Sequence, residues 1–303
     1  MSQPLLLHSL TEIKGVVRGC LEAAQARTVA EIGSESGANT RELLSFVGES
    51  QGELWCVEPE PTLEVEQLDG QEDRLHLVRG RSPEALTAVE ACDAYIIDGD
   101  HNYWTVSREL DHIAQGADRL PLVLLHDVCW PAGRRDMYYA PGALPAGAVH
   151  PHSWELGCVP GRQEAIAGGF RGRGSFAIAL NEGGERNGVR TAVEDFMEAR
   201  EDLRFVVVPA IFGLGVLYSA TAPYADALDR LLGPLERNPL LERLERNRID
   251  LYMELLEQRD RVSEMGLRQG RLLAEYDRSL TAAEAEAAAL RLEVAKLRER
   301  ARA

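Results

Sequence analysis

Between Thr28 and Leu125 short apolar runs alternate with polar or amphipathic stretches, and no other feature narrows the possible folds of this chain as far. Thr28 to Ile32, Glu53 to Val57, Leu75 to Val78, Tyr95 to Ile97 and Leu122 to Leu125 have the β-branched and aromatic character, and the length, of buried strands. Strands separated by helical crossovers pair in parallel, so the pattern predicts an α/β fold with a doubly wound, mostly parallel sheet. Two later runs, Phe205 to Val208 and Gly213 to Tyr218, bring the count to seven strands and end it in a hairpin.

The flanking segments set the expected domain limits. Residues 1–27 read as an N-terminal covering helix, with apolar residues at Ile13, Val16, Val17, Cys20, Leu21 and Ala24. Residues 28–222 hold the sheet, and within them residues 129–174 break the alternation. That stretch carries Trp130, Tyr138, Tyr139, His150, His152 and Trp154 and is expected to form an irregular lid over a substrate. Residues 223–303 are the third part. After Pro239 proline disappears, and Leu, Glu, Arg and Ala dominate. A 3,4 spacing runs from Leu241 through Leu255, Val262 and Leu272 to Tyr276, and after a four-residue stutter from Leu280 through Leu290 to Ala301. Sustained heptads with charged flanks predict a long coiled-coil helix joining a second copy or another coiled-coil partner; a single solvated helix is the alternative.

Composition removes several function classes. The net charge of −16 opposes binding to nucleic acid or anionic membranes. No run reaches the roughly 18 apolar residues of a membrane span, and the first residues lack the basic lead-in of a secretory signal. Five scattered cysteines with no CxxC pair speak against a disulfide framework, so a cytoplasmic location is expected.

In open α/β sheets ligands bind beyond the carboxyl ends of the strands, and here those ends are chemically distinctive. The first strand runs into Gly33-Ser-Glu-Ser-Gly37 before a helix, a corner where backbone can approach a ligand closely. The second ends at Glu58. After the third, Ser82 precedes Pro83 and can cap a helix. The fourth ends in Asp98-Gly-Asp-His101 and the fifth in His126-Asp127. If these last two strands are neighbours, Asp98 and Asp127 converge, and two such carboxylates need a shared proton or a cation between them.

The stretch Glu31-Ile-Gly-Ser-Glu-Ser-Gly37 resembles the acidic-x-Gly-x-x-x-Gly turn of class I S-adenosylmethionine (SAM)-dependent methyltransferases, over residues 10–219. The tracts IIDGDHNY and LVLLHDV are similar to the narrower macrocin O-methyltransferase and cephalosporin-hydroxylase-like group. The resemblance implies a seven-stranded Rossmann-like methyltransferase sheet. It implies Glu31, Gly33, Gly37, Glu58, Ser82 and Asp98 around SAM, with Glu31 toward the methionine part, Glu58 on the ribose hydroxyls and Ser82 toward adenine. It also implies His101 as general base and Mg2+ or Mn2+ on Asp98, His126 and Asp127. His126 departs from the pattern, which has an acid there, and magnesium prefers oxygen ligands. The activity implied is methyl transfer to a small-molecule hydroxyl of a sugar or glycosylated natural product. The alternative is a coiled-coil tethering protein whose SAM-binding domain turns over little or not at all.

Overall fold

The computed structural model describes residues 8–115 and 117–301. The expectation about a leader falls on the first seven residues, outside that range. Contacts divide the chain into two units, one ending at Met253 and one beginning at Glu254.

In the first unit, β1 (Thr28–Ile32), β2 (Glu53–Glu58), β3 (Leu75–Arg79), β4 (Ala94–Ile97) and β5 (Leu122–Leu125) lie parallel. The helices α1 (Lys14–Ala23), α2 (Ala38–Ser50), α3 (Leu63–Asp69) and α4 (Tyr103–Ala114) flank or connect them. Five further short strands follow, β6 (Met137–Tyr138), β7 (His152–Ser153), β8 (Leu156–Gly157), β9 (Ile166–Ala167) and β10 (Ala177–Ala179). Then come α5 (Val189–Met197), the hairpin β11 (Leu203–Val208) and β12 (Leu214–Ser219), α6 (Ala225–Leu232) and the start of α7 (Pro239–Arg300).

The main sheet has seven strands in the order β3-β2-β1-β4-β5-β12-β11, with β12 antiparallel to both neighbours. It is a Rossmann-like sheet of the methyltransferase type. Both faces are buried, and successive residues alternate between them: Ile96, Leu122 and Leu124 join one core, Ile97, Val123 and Leu125 the other. The strand order reverses between β1 and β4, which opens a crevice where Gly33 and Asp98 lie.

Residues 129–174 differ from the irregular lid expected. β6, β10 and β7 form a three-stranded antiparallel sheet, and β8 pairs with β9. The cause is a set of buried polar pins. Arg135 is fully buried and donates to the carbonyls of Ala179 and Gln163. Asp136, also fully buried, accepts from the Tyr103 and Gly188 amides and the Tyr138 hydroxyl. Backbone ladders this short need such side-chain anchors, because an unpaired buried polar group is costly.

The second unit is helical from Glu254 to Arg300, with local ties such as Gln258 Nε2 to Glu254 Oε1 at 3.0 Å.

Candidate active site

The corner after β1 is shaped by two glycines. Gly33 has φ +88°, and a Cβ there would lie 2.4 Å from the Asp98 carbonyl oxygen. Gly37 has φ +76° and caps α2, with Val65 2.9 Å from where its Cβ would be. Only glycine fits such positions without strain. Glu31 does not line the crevice. It is buried, accepting from Asn39 Nδ2 at 2.8 Å and Thr40 Oγ1 at 2.6 Å, so it secures the first turn of α2. Burial pushes its carboxyl up to about 7, against those two hydrogen bonds.

A cavity of about 430 Å³ runs along the strand ends past Gly33, Glu58, Ser82, Asp98, Trp104 and Tyr139. Glu58 accepts from the Ser34 amide (3.0 Å) and hydroxyl (3.2 Å) and from the Glu60 amide (3.1 Å), which fixes its carboxylate at the rim. Ser82 lines the same cavity, but it caps no helix. The following 3-10 turn, Glu84–Ala88, has Pro83 at its N-cap and no side-chain cap, and the Ser82 hydroxyl donates to buried Glu109.

At the far end, β4 and β5 are neighbours in register, Ile97 opposite Leu125. Asp98, His101 and Asp127 therefore meet, each with a ligand-capable atom within 4.8 Å of the others. His101 Nε2 lies 3.4 Å from Asp127 Oδ2, and both side chains are mostly buried. Asp127 has φ +59°, unusual for a residue with a Cβ, and its Oδ1 is buried with no hydrogen-bond partner. The His101 carbonyl accepts from the Met137 amide at 2.9 Å, which ties the small sheet to the site.

His126 does not take the ligand position expected for it. Its Nδ1 is 2.8 Å from Asp98 Oδ1 and its Nε2 is 2.7 Å from the Ile211 carbonyl, so both nitrogens face acceptors. With both nitrogens donating, the ring is an imidazolium, and no lone pair remains for a metal. Burial opposes that charge, but the Asp98 and Asp127 carboxylates outweigh it and push the pKa up to about 10. The cation expected between the two acids is thus in part supplied by the chain itself.

Asp100 lines the same cavity, but its carboxylate is committed to Asn102 Nδ2 (2.6 Å) and Thr105 Oγ1 (3.1 Å) at the start of α4 and to the Tyr139 amide (3.4 Å). Tyr138 is fully buried and bonded to Asp136, and of the aromatics in the stretch expected to form the lid Tyr139 lines the cavity. His150 Nε2 pairs with the Arg186 carbonyl and His152 Nδ1 with the His150 carbonyl. Trp104, which lines the cavity, and Glu109, which takes the Ser82 hydroxyl, escaped the sequence reading because on α4 they look like ordinary positions of an amphipathic helix.

Residues 30–128 match the family model described as a methyltransferase domain. The chain carries a methyltransferase domain. The match starts within β1 and ends one residue past Asp127, so it takes in both the glycine corner and the acid–histidine cluster. No curated protein matches the chain. Among solved structures it is similar to a Staphylococcus aureus protein described as a caffeoyl-CoA O-methyltransferase, with 12% identity over 72% of this chain and 93% of that one and a TM-score of 0.44. It is also similar to the SAH-bound Podospora anserina methyltransferase PaMTH1 (16%, 68% and 77%, 0.41). A third is TomG of Streptomyces achromogenes, an O-methyltransferase involved in tomaymycin synthesis, in complex with SAM (14%, 70% and 82%, 0.42). At such identities and scores the strand order and the domain match define the methyltransferase domain, and these likenesses add nothing to them. Among the described residues no helix is long and apolar enough to cross a membrane.

Proposed function

We propose that this methyltransferase is a SAM-dependent O-methyltransferase acting on a hydroxyl of a sugar or glycosylated natural product, with His101 as general base. The observation that carries this reading is the meeting of Asp98, His101 and Asp127, of which Asp98 lines the same cavity as Glu58. Glu58 would accept from the ribose hydroxyls, and the open backbone at Gly33 would admit the methionine part. The acceptor hydroxyl would then sit between Asp98 and His101.

His101 takes the hydroxyl proton, and the Asp127 carboxylate, whose Oδ2 lies 3.4 Å from His101 Nε2, stabilises the imidazolium that results. The acceptor oxygen attacks the sulfonium methyl in line. One C–O bond forms, one C–S bond breaks, and the sulfur leaves as a neutral thioether. The chain's contribution is alignment and the exclusion of water by Tyr139 and the adjoining small sheet.

The donor set also accommodates a divalent cation. With His126 charged, one carboxylate charge at the pair remains unbalanced, and Asp127 Oδ1 is a buried acceptor without a partner. Asp98 and Asp127 would hold Mg2+ or Mn2+, which supplies Lewis acidity that lowers the pKa of the acceptor hydroxyl. His101 is then left for the proton, since magnesium takes imidazole poorly.

Calorimetry with SAM tests the cofactor end: Glu58→Gln should weaken binding about tenfold, the worth of one charge-assisted hydrogen bond. An unchanged affinity removes Glu58 from the cofactor site. Transfer of a labelled methyl to a panel of glycosides tests the acceptor class, and labelling only of non-sugar hydroxyls overturns it.

A further inference from the structure

We infer that the helix from Glu254 to Arg300 is one strand of a parallel, in-register, two-stranded coiled coil formed with a second copy of this chain. Leu255, Val262, Leu272, Leu280, Leu290 and Val294 lie on its heptad seam, and they are 42%, 66%, 57%, 45%, 55% and 47% exposed. A seam that apolar, repeated over about 70 Å of helix at 1.5 Å per residue, is not a solvated face.

The choice of occupant comes from the charges beside the seam. In a parallel pair each g residue faces the e residue five positions on in the other chain. Here that sets Glu254 against Arg259, Glu286 against Arg291 and Glu293 against Arg298. The remaining g–e pairs set Arg261 against Gly266, Arg268 against Leu273 and Ser279 against Glu284, so no like charges meet. The helix is complementary to itself.

The polar seam residues fix polarity and register. Parallel and in register, Gln258 meets Gln258 and Gln269 meets Gln269, so each amide finds an amide. The fully overlapped antiparallel pair also joins Glu254 to Arg300. It places Gln258 against Val294 and Gln269 against Ala283, however, and brings Arg259 beside Arg298. Polar groups facing apolar ones, and a like-charge pair, count against it. Valine at Val262 and Val294 in a positions, with leucine at Leu272, Leu290 and Leu297 in d positions, favours two strands over three or four.

Cysteine pairing in the full-length protein decides the matter. In Leu290→Cys a parallel pair brings the two new thiols together, so mild oxidation should convert most of the chain to a covalent dimer that wild type does not form. If crosslinking occurs only when Val262→Cys is mixed with Leu290→Cys, the pair is antiparallel and the inference fails. The charges are tested separately by sedimentation. Glu286→Arg with Glu293→Arg should weaken dimerisation about tenfold or more, since each pair occurs twice. Mixing that variant with Arg291→Glu, Arg298→Glu should restore a dimer. A wild-type chain that stays monomeric at micromolar concentration, or a dimer indifferent to charge reversal, overturns the proposal.

Discussion

His126 Nε2 lies 2.7 Å from the carbonyl oxygen of Ile211, joining the end of β5 to the tip of the β11–β12 hairpin across 85 residues of sequence. Because Nδ1 is spent on Asp98, the two bonds together orient the charged ring and, through it, the Asp98 carboxylate. Replacing His126 by Leu keeps the volume but takes from the half-buried Asp98 carboxylate and Ile211 carbonyl the charged partner they share. The expected loss is about 3 kcal/mol of unfolding free energy, read from urea denaturation. A loss below about 1 kcal/mol would mean that Asp98 finds another partner or gains a proton.

The hairpin tip is itself held from the other side. Ile211 and Phe212 both have positive φ (51° and 63°), and the Phe212 amide donates to Glu245 Oε1 at 2.8 Å. Glu245 also pairs with Arg248, whose guanidinium lies over the Phe212 ring. The first turns of α7 thereby stabilise a strained backbone that presents the carbonyl to His126. Glu245→Ala should cost about 1–3 kcal/mol and lower turnover, whereas Glu245→Gln, which keeps an acceptor, should lose much less of both. Equal losses in the two variants would refute the positioning role.

Removing the proton acceptor separates chemistry from binding. His101→Ala should lower kcat by about 10²-fold or more while SAM affinity, measured by calorimetry, stays close to wild type. If a cation sits on Asp98 and Asp127, a chelator should abolish turnover and magnesium restore it. Zinc, which accepts imidazole readily, should inhibit by recruiting His101. Full activity in the chelator, with no heat of Mg2+ or Mn2+ binding, rules the cation out.

Stability should fall as pH rises above the acid range. Burial raises the Glu109 carboxyl to about 8 and that of Glu31 to about 7, from an ordinary value of 4.5 in both cases. The folded chain therefore holds protons that the unfolded chain has lost. This contribution is fully present below about pH 4.5 and disappears as pH passes through about 7 to 8. Urea midpoints taken between pH 5 and 8.5 should decline in wild type and decline less in Glu109→Gln. A Glu109→Gln profile as steep as wild type would show that Glu109 ionises normally.

Local sequence determined the sheet and the chemistry at its edge. Buried strands must be apolar on both faces, and glycines must stand where a Cβ would meet backbone, so β1 to β5 and the Gly33 corner are written in residue types. Asp98 and Asp127 could be paired in advance because neighbouring parallel strands bring their ends together whatever the loops do. Tertiary structure decided what those residues touch. Nothing within a few positions of His126 shows that its ring will meet Ile211, nor that Arg135 and Asp136 will anchor two small sheets where an irregular lid was expected. Such partners lie tens of residues away, and a buried polar group takes whichever acceptor the fold presents, since leaving it unpaired costs more than any local preference. Hence the identity of the site residues was local information, while the charge on His126 and the commitment of Glu31 and Ser82 to Thr40 and Glu109 were not.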